Sequence, residues 1–216
     1  MDYRIIILDF DGVIVESNPI KHRAFAELFK DYPYKLKEIM DYHLAHNAVN
    51  RHDKFRYIME NILRRTYEPK LTEIWAKRFS ELTRTAIINC PYVKGALDFI
   101  QCFQAVYPIY LASATPQDEL QVILEGRKIY GYFKKVFGAP TSKLEMFQVI
   151  ADAEKARPEN LLFIGDSSED WEIARQFGCG FIARKSEHRM PTSGTKVFND
   201  LAEMKPYVQN ILKRKI

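Results

Sequence analysis

Four short apolar runs, each bounded by turn-forming or acidic residues, constrain the fold of this chain more than any other feature. They span residues 4–8, 107–112, 161–164 and 180–183. Short runs that are apolar throughout are typical of strands buried on both faces of a sheet. Helical patterns separate the runs along the chain, and this alternation predicts an α/β fold with a mostly parallel sheet and helices on both faces.

The segment between the first two runs differs, because it carries helical periodicity without a strand pattern. Asn18 is expected to cap a helix, since Pro19 suits the first helical position. Periodic apolar residues continue over 20–29, 55–63 and 71–87. We therefore predict a discontinuous α/β core domain of residues 1–16 and 91–216, interrupted after its first strand by a helical domain of residues 17–90, called the cap below.

The composition excludes several classes of protein. Hydrophobic residues make up 47% of the 216, which is enough for a packed core and excludes a disordered chain. The formal net charge of +4 is spread along the chain, so no nucleic-acid partner is expected. No apolar run approaches the roughly 20 residues of a membrane-spanning helix, and no signal-peptide pattern opens the chain. Three scattered cysteines indicate neither disulfides nor zinc. We expect a soluble, cytoplasmic protein without a membrane partner; the sequence does not indicate its oligomeric state.

Two aspartates follow the first apolar run, in the motif Asp9-Phe10-Asp11-Gly12. Residues two apart on a strand point the same way, so Asp9 and Asp11 are expected to converge beyond the carboxyl end of the strand, where parallel sheets bind ligands. Two adjacent carboxylates repel unless a cation or a shared proton relieves them, and Mg²⁺ prefers oxygen ligands. A strand end followed by an Asp-Gly turn explains the motif about as well.

A second motif, Ser113-Ala114-Thr115-Pro116, follows the run 107–112. Thr115 is the expected N-cap of the next helix, with Pro116 in its first turn. Capping leaves the Ser113 hydroxyl unexplained. This hydroxyl and the Ala114 amide lie where backbone N–H groups bind anions.

The third and fourth motifs are a lysine at a helix start and a further acidic cluster. Lys143 follows Ser142 at the start of a helical pattern, and either balances carboxylates near a phosphoryl group or is an ordinary exposed lysine. Asp166 follows the run 161–164, and Asp170 lies four residues later. A serine cap favouring acids at the helix start accounts for Asp170, but it does not account for Asp166.

The order of these four motifs resembles that of the haloacid dehalogenase-like superfamily, over nearly the whole chain. The resemblance is to its phosphatases with a helical cap after the first strand, the phosphoglycolate phosphatase and β-phosphoglucomutase-like branch. It implies a Rossmann-like core and a Mg²⁺ cofactor. It also implies that Asp9 is the nucleophile, Asp11 the general acid/base, and Lys143 a stabiliser of the phosphoryl group that Ser113 and the Ala114 amide bind.

The resemblance also implies a ligand set for the metal. Asp9, the Asp11 main-chain carbonyl and Asp166 would bind Mg²⁺, while Asp170 and Gly165 would support these ligands without binding the ion directly. Because Asp11 must carry a proton to protonate a leaving alkoxide, we expect its burial and its carboxylate neighbour to raise its pKa.

Polar and cationic residues crowd one segment of the cap: His43, His46, Asn47, Asn50, Arg51, His52 and Lys54. If they form a face over the core, they recognise hydroxyls or a second anionic group of a substrate, with Arg51, Lys54 and His46 as the candidate contacts. The alternative is a solvated turn between two helices.

These features together favour a Mg²⁺-dependent phosphatase that hydrolyses a small phosphorylated metabolite, a sugar phosphate or phosphoglycolate, through an aspartyl-phosphate. A phosphomutase of the β-phosphoglucomutase type has the same motifs and hands the phosphoryl group back to a sugar. A non-catalytic or phosphoprotein-directed module of the same fold is the third hypothesis. The complete motif set argues against a non-catalytic protein, and the predicted cap argues against a protein substrate, which would not easily reach a covered site.

Overall fold

The computed structural model describes residues 2–46, 49–187 and 194–212. Its six-stranded sheet has the strand order β3-β2-β1-β4-β5-β6. The strands are β1 Ile5–Leu8, β2 Ile109–Pro116, β3 Lys135–Ala139, β4 Leu161–Gly165, β5 Gly180–Arg184 and β6 Lys196–Phe198. All neighbouring strands pair in parallel, which confirms the predicted fold class.

Nine α-helices are found in the described part of the chain. They are α1 Asn18–Leu28, α2 Leu36–Ala45, α3 Arg51–Tyr57, α4 Pro69–Asn89, α5 Ala96–Gln104, α6 Gln117–Gly126, α7 Lys143–Glu154, α8 Ser168–Phe177 and α9 Leu201–Ile211. A π-helical turn, Ile58–Ile62, continues α3. No helix of the described residues is long and apolar enough to cross a membrane.

Strand β1 lies at the centre of the sheet and contributes side chains to the hydrophobic clusters on both faces. Ile6 and Leu8 point into a hydrophobic cluster with residues of α5, α6 and α9, whereas Ile5 and Ile7 pack against α7 and α8. This two-residue alternation, apolar on both sides, is why the strand appears in the sequence as an unbroken apolar run. The register places Leu8 opposite both Leu111 and Ile164, so the chain leaves β1, β2 and β4 at one edge of the sheet.

The four predicted strands are all present, but β3 and β6 were missed. Both are edge strands that begin with an exposed lysine; β3 also contains a glycine, and β6 is only three residues long. Strand β2 also continues to Pro116, beyond the predicted end at residue 112, because a register shift extends its pairing with β3 as far as Ala139.

The helices between β1 and α5 form a hydrophobic cluster of their own. Phe25 of α1, Phe29 directly after α1, Phe55 of α3 and Trp75 of α4 meet in its centre. The described residues over 18–89 contain no strand, in agreement with the predicted helical insertion. Helix α2 was missed, since its buried residues, Ile39 and His43, are too few to show a period. The domain boundaries at 16/17 and 90/91 stay a prediction.

The aromatic core under the sheet generates a stability prediction. Phe103 of α5 is fully buried and packs 4.5 Å from the ring of Phe99, far along the chain from the acidic motifs. Phe103→Ala should lower the free energy of unfolding by about 3–5 kcal/mol in urea denaturation. Tyr34→Ala, at a fully exposed ring, is the control and should change it by less than about 0.5 kcal/mol. Equal losses would contradict this account of the core.

Candidate active site

The predicted motifs meet at one edge of the sheet, where they form the floor of a cavity beneath helices α1–α4. The floor is lined by Asp9, Asp11, Ala114, Thr115, Lys143, Asp166, Ser167 and Asp170. The opposite wall is contributed by the helical insertion and is lined by Asn18, Lys21, His22, Phe25, His43, Val49, Arg51, Lys54 and Phe79. Carboxylates therefore dominate the floor of this cavity, and basic side chains dominate its roof.

Lys143 links two of the carboxylates on the floor. A reciprocal cap between Ser142 and Glu145 starts helix α7, so that Lys143 occupies its first position and points inward. Its Nζ lies 3.2 Å from Asp9 Oδ2 and 2.5 Å from Asp170 Oδ1. Burial opposes the charge of Lys143, but Asp170 and Asp9 outweigh it and raise its pKa. Lys143 is a buried ammonium ion, which excludes the alternative of an ordinary exposed lysine.

Asp170 is held by its neighbours as well as by Lys143. Its Oδ2 accepts hydrogen bonds from Ser167 Oγ at 2.8 Å and from the Asp166 N–H at 3.3 Å. Ser167 Oγ in turn accepts from the Asp170 N–H and caps α8, as the sequence indicated. A Cβ at Gly165 would approach Asp170 Cβ to 2.6 Å, so the glycine makes room for this arrangement. Asp170 and Gly165 thus lie where supporting residues are expected.

Three buried carboxylates offer a site that suits a divalent cation. Asp9, Asp166 and Asp170 each place one oxygen within 4.8 Å of the others. Burial raises the pKa of Asp9 to about 7, where Lys143 opposes the shift and Asp170 and Asp11 add to it. Burial, Asp9 and Asp170 raise the pKa of Asp166 well above its usual value. One lysine against three carboxylates leaves excess negative charge, which a hard cation such as Mg²⁺ relieves.

Gly12 allows the chain to pass close to this cluster. Its φ of +70° lies in the left-handed region, and a Cβ there would come within 2.0 Å of Asp166 Oδ2. Asp166 Oδ2 accepts a hydrogen bond of 2.8 Å from Asn18 Nδ2, at the start of α1. The prediction that Asn18 caps its own helix is therefore wrong. Ser17 occupies the N-cap position, and the Asn18 side chain reaches the acidic cluster.

Asp11 differs from expectation in its electrostatics. Its Oδ1 accepts from Ser17 Oγ at 2.6 Å, and its Oδ2 contacts Lys21 Nζ at 2.5 Å and Thr115 Oγ1 at 3.1 Å. Burial alone would raise the pKa of Asp11, but the charge of Lys21 and the three hydrogen bonds outweigh it and lower the pKa. The expectation of a raised pKa is wrong because the sequence gives no sign that Lys21 of α1 reaches Asp11.

The second motif also differs in which hydroxyl faces the cavity. Ser113 is fully buried in β2, where its Oγ accepts the Thr115 N–H at 3.1 Å, while Ala114 and Thr115 line the cavity. The prediction that Thr115 is the N-cap of the following helix is wrong, because β2 continues to Pro116 and α6 begins at Gln117. Its hydroxyl instead contacts Asp11 and Lys21, both at 3.1 Å. Thr115 is a site residue that the capping interpretation concealed.

Comparison with known proteins places the chain in a family. Residues 6–184 match the family described as haloacid dehalogenase-like hydrolase. The chain belongs to the haloacid dehalogenase-like hydrolases. A curated relative, the phosphorylated carbohydrates phosphatase of Thermotoga maritima, is 25% identical over 187 residues, covering 80% of this chain and 81% of the relative. These matches confirm the predicted family and support a hydrolase of the phosphatase kind.

Solved structures share the fold over almost the whole chain. CbbY of Rhodobacter sphaeroides, solved with xylulose-1,5-bisphosphate, is 14% identical with a TM-score of 0.73, covering 93% of this chain and 96% of its own. The haloacid dehalogenase-type hydrolase YfnB of Bacillus subtilis, solved with magnesium, is 17% identical with a TM-score of 0.70, covering 98% and 100%. At these identities the likeness shows the fold alone.

The helical insertion of this hydrolase brings two of the three predicted substrate contacts to the cavity. Arg51 and Lys54 line it and are 8% and 4% exposed, so neither belongs to a solvated turn. Arg51 is engaged by Glu119 of α6 at 2.8 Å and by Ser80 Oγ at 2.5 Å. His46 is not among the residues that line the cavity; its Nδ1 lies 2.9 Å from the Tyr42 carbonyl oxygen. Asn47 lies outside the described residues.

Lys21, His22 and His43 also line the cavity, and sequence reasoning did not single out Lys21 or His22. Both lie on α1, one turn after its start, and are consecutive in the chain. The available signal was their distance from the first motif: α1 begins at Asn18, seven residues after Asp11, so its first turn starts near the sheet edge. Within that turn, the sequence does not say which side chains point inward.

The buried Lys54 generates a prediction about stability and pH. Burial lowers its pKa to about 7, with smaller effects from Glu169, Lys21 and Asp11. Between this value and the usual value of about 10.4, the unfolded chain binds more protons than the folded one, so wild-type stability rises with pH. Lys54→Met removes this term. The free energy of unfolding of Lys54→Met, relative to that of the wild type, should therefore fall by up to about 1.4 kcal/mol per pH unit from pH 7 to 10.

The measurement is urea denaturation of both proteins across this pH range. Lys70→Met, at an exposed position of α4, is the control and should follow the wild type at every pH. A difference between Lys54→Met and wild type that stays constant with pH would show that Lys54 is not buried in the way described.

Proposed function

We propose that this hydrolase is a Mg²⁺-dependent phosphatase that cleaves a small phosphorylated metabolite, a sugar phosphate or phosphoglycolate, through an aspartyl-phosphate. The observation that carries the proposal is the placement of Asp9 and Asp11 at the end of β1, with Lys143 Nζ 3.2 Å from Asp9. The name of the Thermotoga maritima relative and the sugar bisphosphate bound to CbbY support a phosphorylated carbohydrate as substrate.

Asp9 carries the nucleophilic oxygen. This oxygen forms a bond to phosphorus while the bond from phosphorus to the substrate oxygen breaks, which gives an aspartyl-phosphate and an alcohol. Lys143 balances the charge that gathers on the phosphoryl oxygens. The Ala114 amide, which lines the cavity, binds these oxygens; the Ser113 hydroxyl, predicted to bind them too, is buried and accepts the Thr115 N–H instead, so it supports this turn.

Asp11 moves the protons. It protonates the oxygen of the leaving group, and it then takes a proton from the water that hydrolyses the aspartyl-phosphate to release phosphate and restore Asp9. Ser17, Lys21 and Thr115 fix its orientation. Because this arrangement lowers the pKa of Asp11 and holds it as a carboxylate, the proton for the first step reaches Oδ2 from solvent.

Mg²⁺ fits the acidic cluster, and its proposed ligands are Asp9, Asp166 and the main-chain carbonyl of Asp11. When bound, the ion supplies positive charge next to the transferring phosphoryl group. Asp170 holds Lys143 and is itself held by Ser167, so it keeps the lysine aligned with Asp9.

The helical insertion is the proposed specificity element, with a cap domain of residues 17–90 and Arg51 and Lys54 as its substrate contacts. It closes the cavity from above, and in this position it contacts the part of the substrate that leaves. The three free cysteines support a reducing, cytoplasmic location.

Asp9→Asn tests the nucleophile. Phosphate release from a panel of phosphorylated sugars and phosphoglycolate should require Mg²⁺, cease with EDTA, and fall at least about a thousandfold in Asp9→Asn with the thermal unfolding temperature retained. Asp31→Asn, at an exposed aspartate, should keep full activity. Isomerised sugar phosphate instead of released phosphate would identify a phosphomutase. Silence across the panel from folded, magnesium-loaded protein would contradict an enzyme of either kind.

Asp11→Asn tests the proton-transfer role through the leaving group. Single-turnover cleavage of a sugar phosphate, whose alkoxide needs a proton, should slow by about 10²–10⁴-fold. Cleavage of 4-nitrophenyl phosphate, whose phenolate leaves unprotonated, should slow by less than about tenfold in the same variant. Rapid-quench measurement of the first turnover isolates this step from hydrolysis of the aspartyl-phosphate. Equal losses on the two substrates would rule out Asp11 as the acid.

A further inference from the structure

The cations that face the cavity differ in whether a carboxylate already balances them. Lys21 pairs with Asp11, Arg51 with Glu119, and Lys143 with Asp9 and Asp170. Lys54 is as deeply buried as these, but no acidic side chain within the described parts of the chain forms an ion pair with it. A buried ammonium ion without a partner is costly, which is why burial lowers the pKa of Lys54 to about 7, and a ligand that supplies the opposite charge favours the ammonium form.

Lys54 is instead the first member of a directed chain of hydrogen bonds. Its Nζ lies 3.5 Å from His43 Nδ1, His43 Nε2 lies 2.9 Å from His22 Nδ1, and His22 Nε2 lies 2.8 Å from Glu187 Oε1. In its ammonium form Lys54 can only donate, so in that form His43 Nδ1 accepts and the proton of His43 is on Nε2. His22 Nδ1 then accepts this proton's hydrogen bond, and its own N–H, on Nε2, donates to Glu187.

This chain fixes the position of Lys54 and leaves most of its donors for a ligand. Phe25 stacks on the His43 ring with centroids 3.9 Å apart and planes 9° apart, which holds the imidazole in place. Burial lowers the pKa of His22, in keeping with a neutral ring. His43 takes one of the three Lys54 donors at a long distance, so the remaining donors are available on the cavity side, where Lys54 is part of the lining.

We propose that Lys54, positioned by His43, His22 and Glu187, binds a second anionic group of the substrate, a carboxylate or a second phosphate, at the end of the molecule away from the transferring phosphoryl group. This inference rests on the proposed phosphatase function and narrows its substrates to phosphate esters that carry two anionic groups. Lys54 is the specificity residue, and His43 and His22 are positioning residues.

Charge favours an anion over a hydroxyl at this position. A hydroxyl would accept a hydrogen bond but would leave the buried charge of Lys54 unbalanced. A carboxylate or phosphate accepts the hydrogen bond and also balances the charge. Arg51 is less available for this role, because releasing it would leave Glu119 buried without its cation. Glu119 Oε1 already has no hydrogen-bond partner among the residues that the structure describes.

The experiment compares substrates in matched pairs that differ in the second anion. The carboxylate pair is 2-phosphoglycolate and 2-hydroxyethyl phosphate, and the phosphate pair is glucose 1,6-bisphosphate and glucose 6-phosphate. In wild-type protein, kcat/KM should favour the member that carries the second anionic group in at least one pair. Lys54→Met should reduce this preference by about 10- to 100-fold, mainly through KM. Lys54→Arg should recover part of it, and Lys70→Met, at an exposed position, should retain all of it.

The positioning role of the imidazoles has its own readout. His43→Phe keeps a ring against Phe25 but removes the acceptor for Lys54. It should raise KM for the member of the preferred pair that carries the second anionic group by several-fold and leave KM for the other member unchanged. A general structural effect would raise both values together.

Calorimetric binding of the same four compounds, in the presence of Mg²⁺, separates this inference from the proposed function. It uses Asp9→Asn and Asp9→Asn with Lys54→Met. A preference for a compound with a second anionic group supports the inference if Lys54→Met abolishes that preference. This holds even where wild-type protein releases no phosphate, because that result would contradict only the proposed function. Equal binding within both pairs, or a preference that survives Lys54→Met, overturns the inference even where phosphate release is efficient.

Discussion

The electrostatic balance around Asp9 is the constraint on which the rest of the site depends. Parallel strands bring Asp9 and Asp166 to the same edge of the sheet, and the first turn of α8 adds Asp170. One ammonium group, that of Lys143, lies between Asp9 and Asp170 and balances part of this charge. Burial, with the remaining negative charge adding to it, raises the pKa values of Asp9 and Asp166, and this excess charge makes the cluster suitable for a divalent cation.

The sheet was predictable where its strands are buried on both faces. Strands β1 and β4 show continuous apolar runs because helices cover both sides, and their motifs follow directly at the strand ends. Strands β3 and β6 lie at the edges and begin with an exposed lysine; the glycine of β3 and the three-residue length of β6 leave only a weak strand pattern. The same argument applies to α2, which buries too few residues to show helical periodicity.

The floor of the site was predictable for a related reason. Its residues lie within a few positions of a strand end, so the strand that carries them also indicates where they point. Lys21, His22 and Thr115 owe their roles to partners far away in sequence: Asp11 and Thr115 are 104 residues apart, and His22 and Glu187 are 165 apart. Local propensity assigned Thr115 to a helix cap, and the tertiary contact with Asp11 prevailed.

The contacts between the helical insertion and the sheet edge pair polar groups of opposite character. Lys21 reaches Asp11, Asn18 reaches Asp166, Arg51 reaches Glu119 and His22 reaches Glu187. Each contact balances a carboxylate of the α/β part with a donor from the helices, so the closed cavity is held together by the same charges that a substrate would meet. A phosphoryl group entering this cavity finds Lys143 and Lys21 already engaged with carboxylates. Lys54 differs because its hydrogen-bond partner is the imidazole of His43 and not a carboxylate. The charge that remains for discrimination between substrates is therefore on the roof of the cavity, opposite the carboxylates that carry out the chemistry.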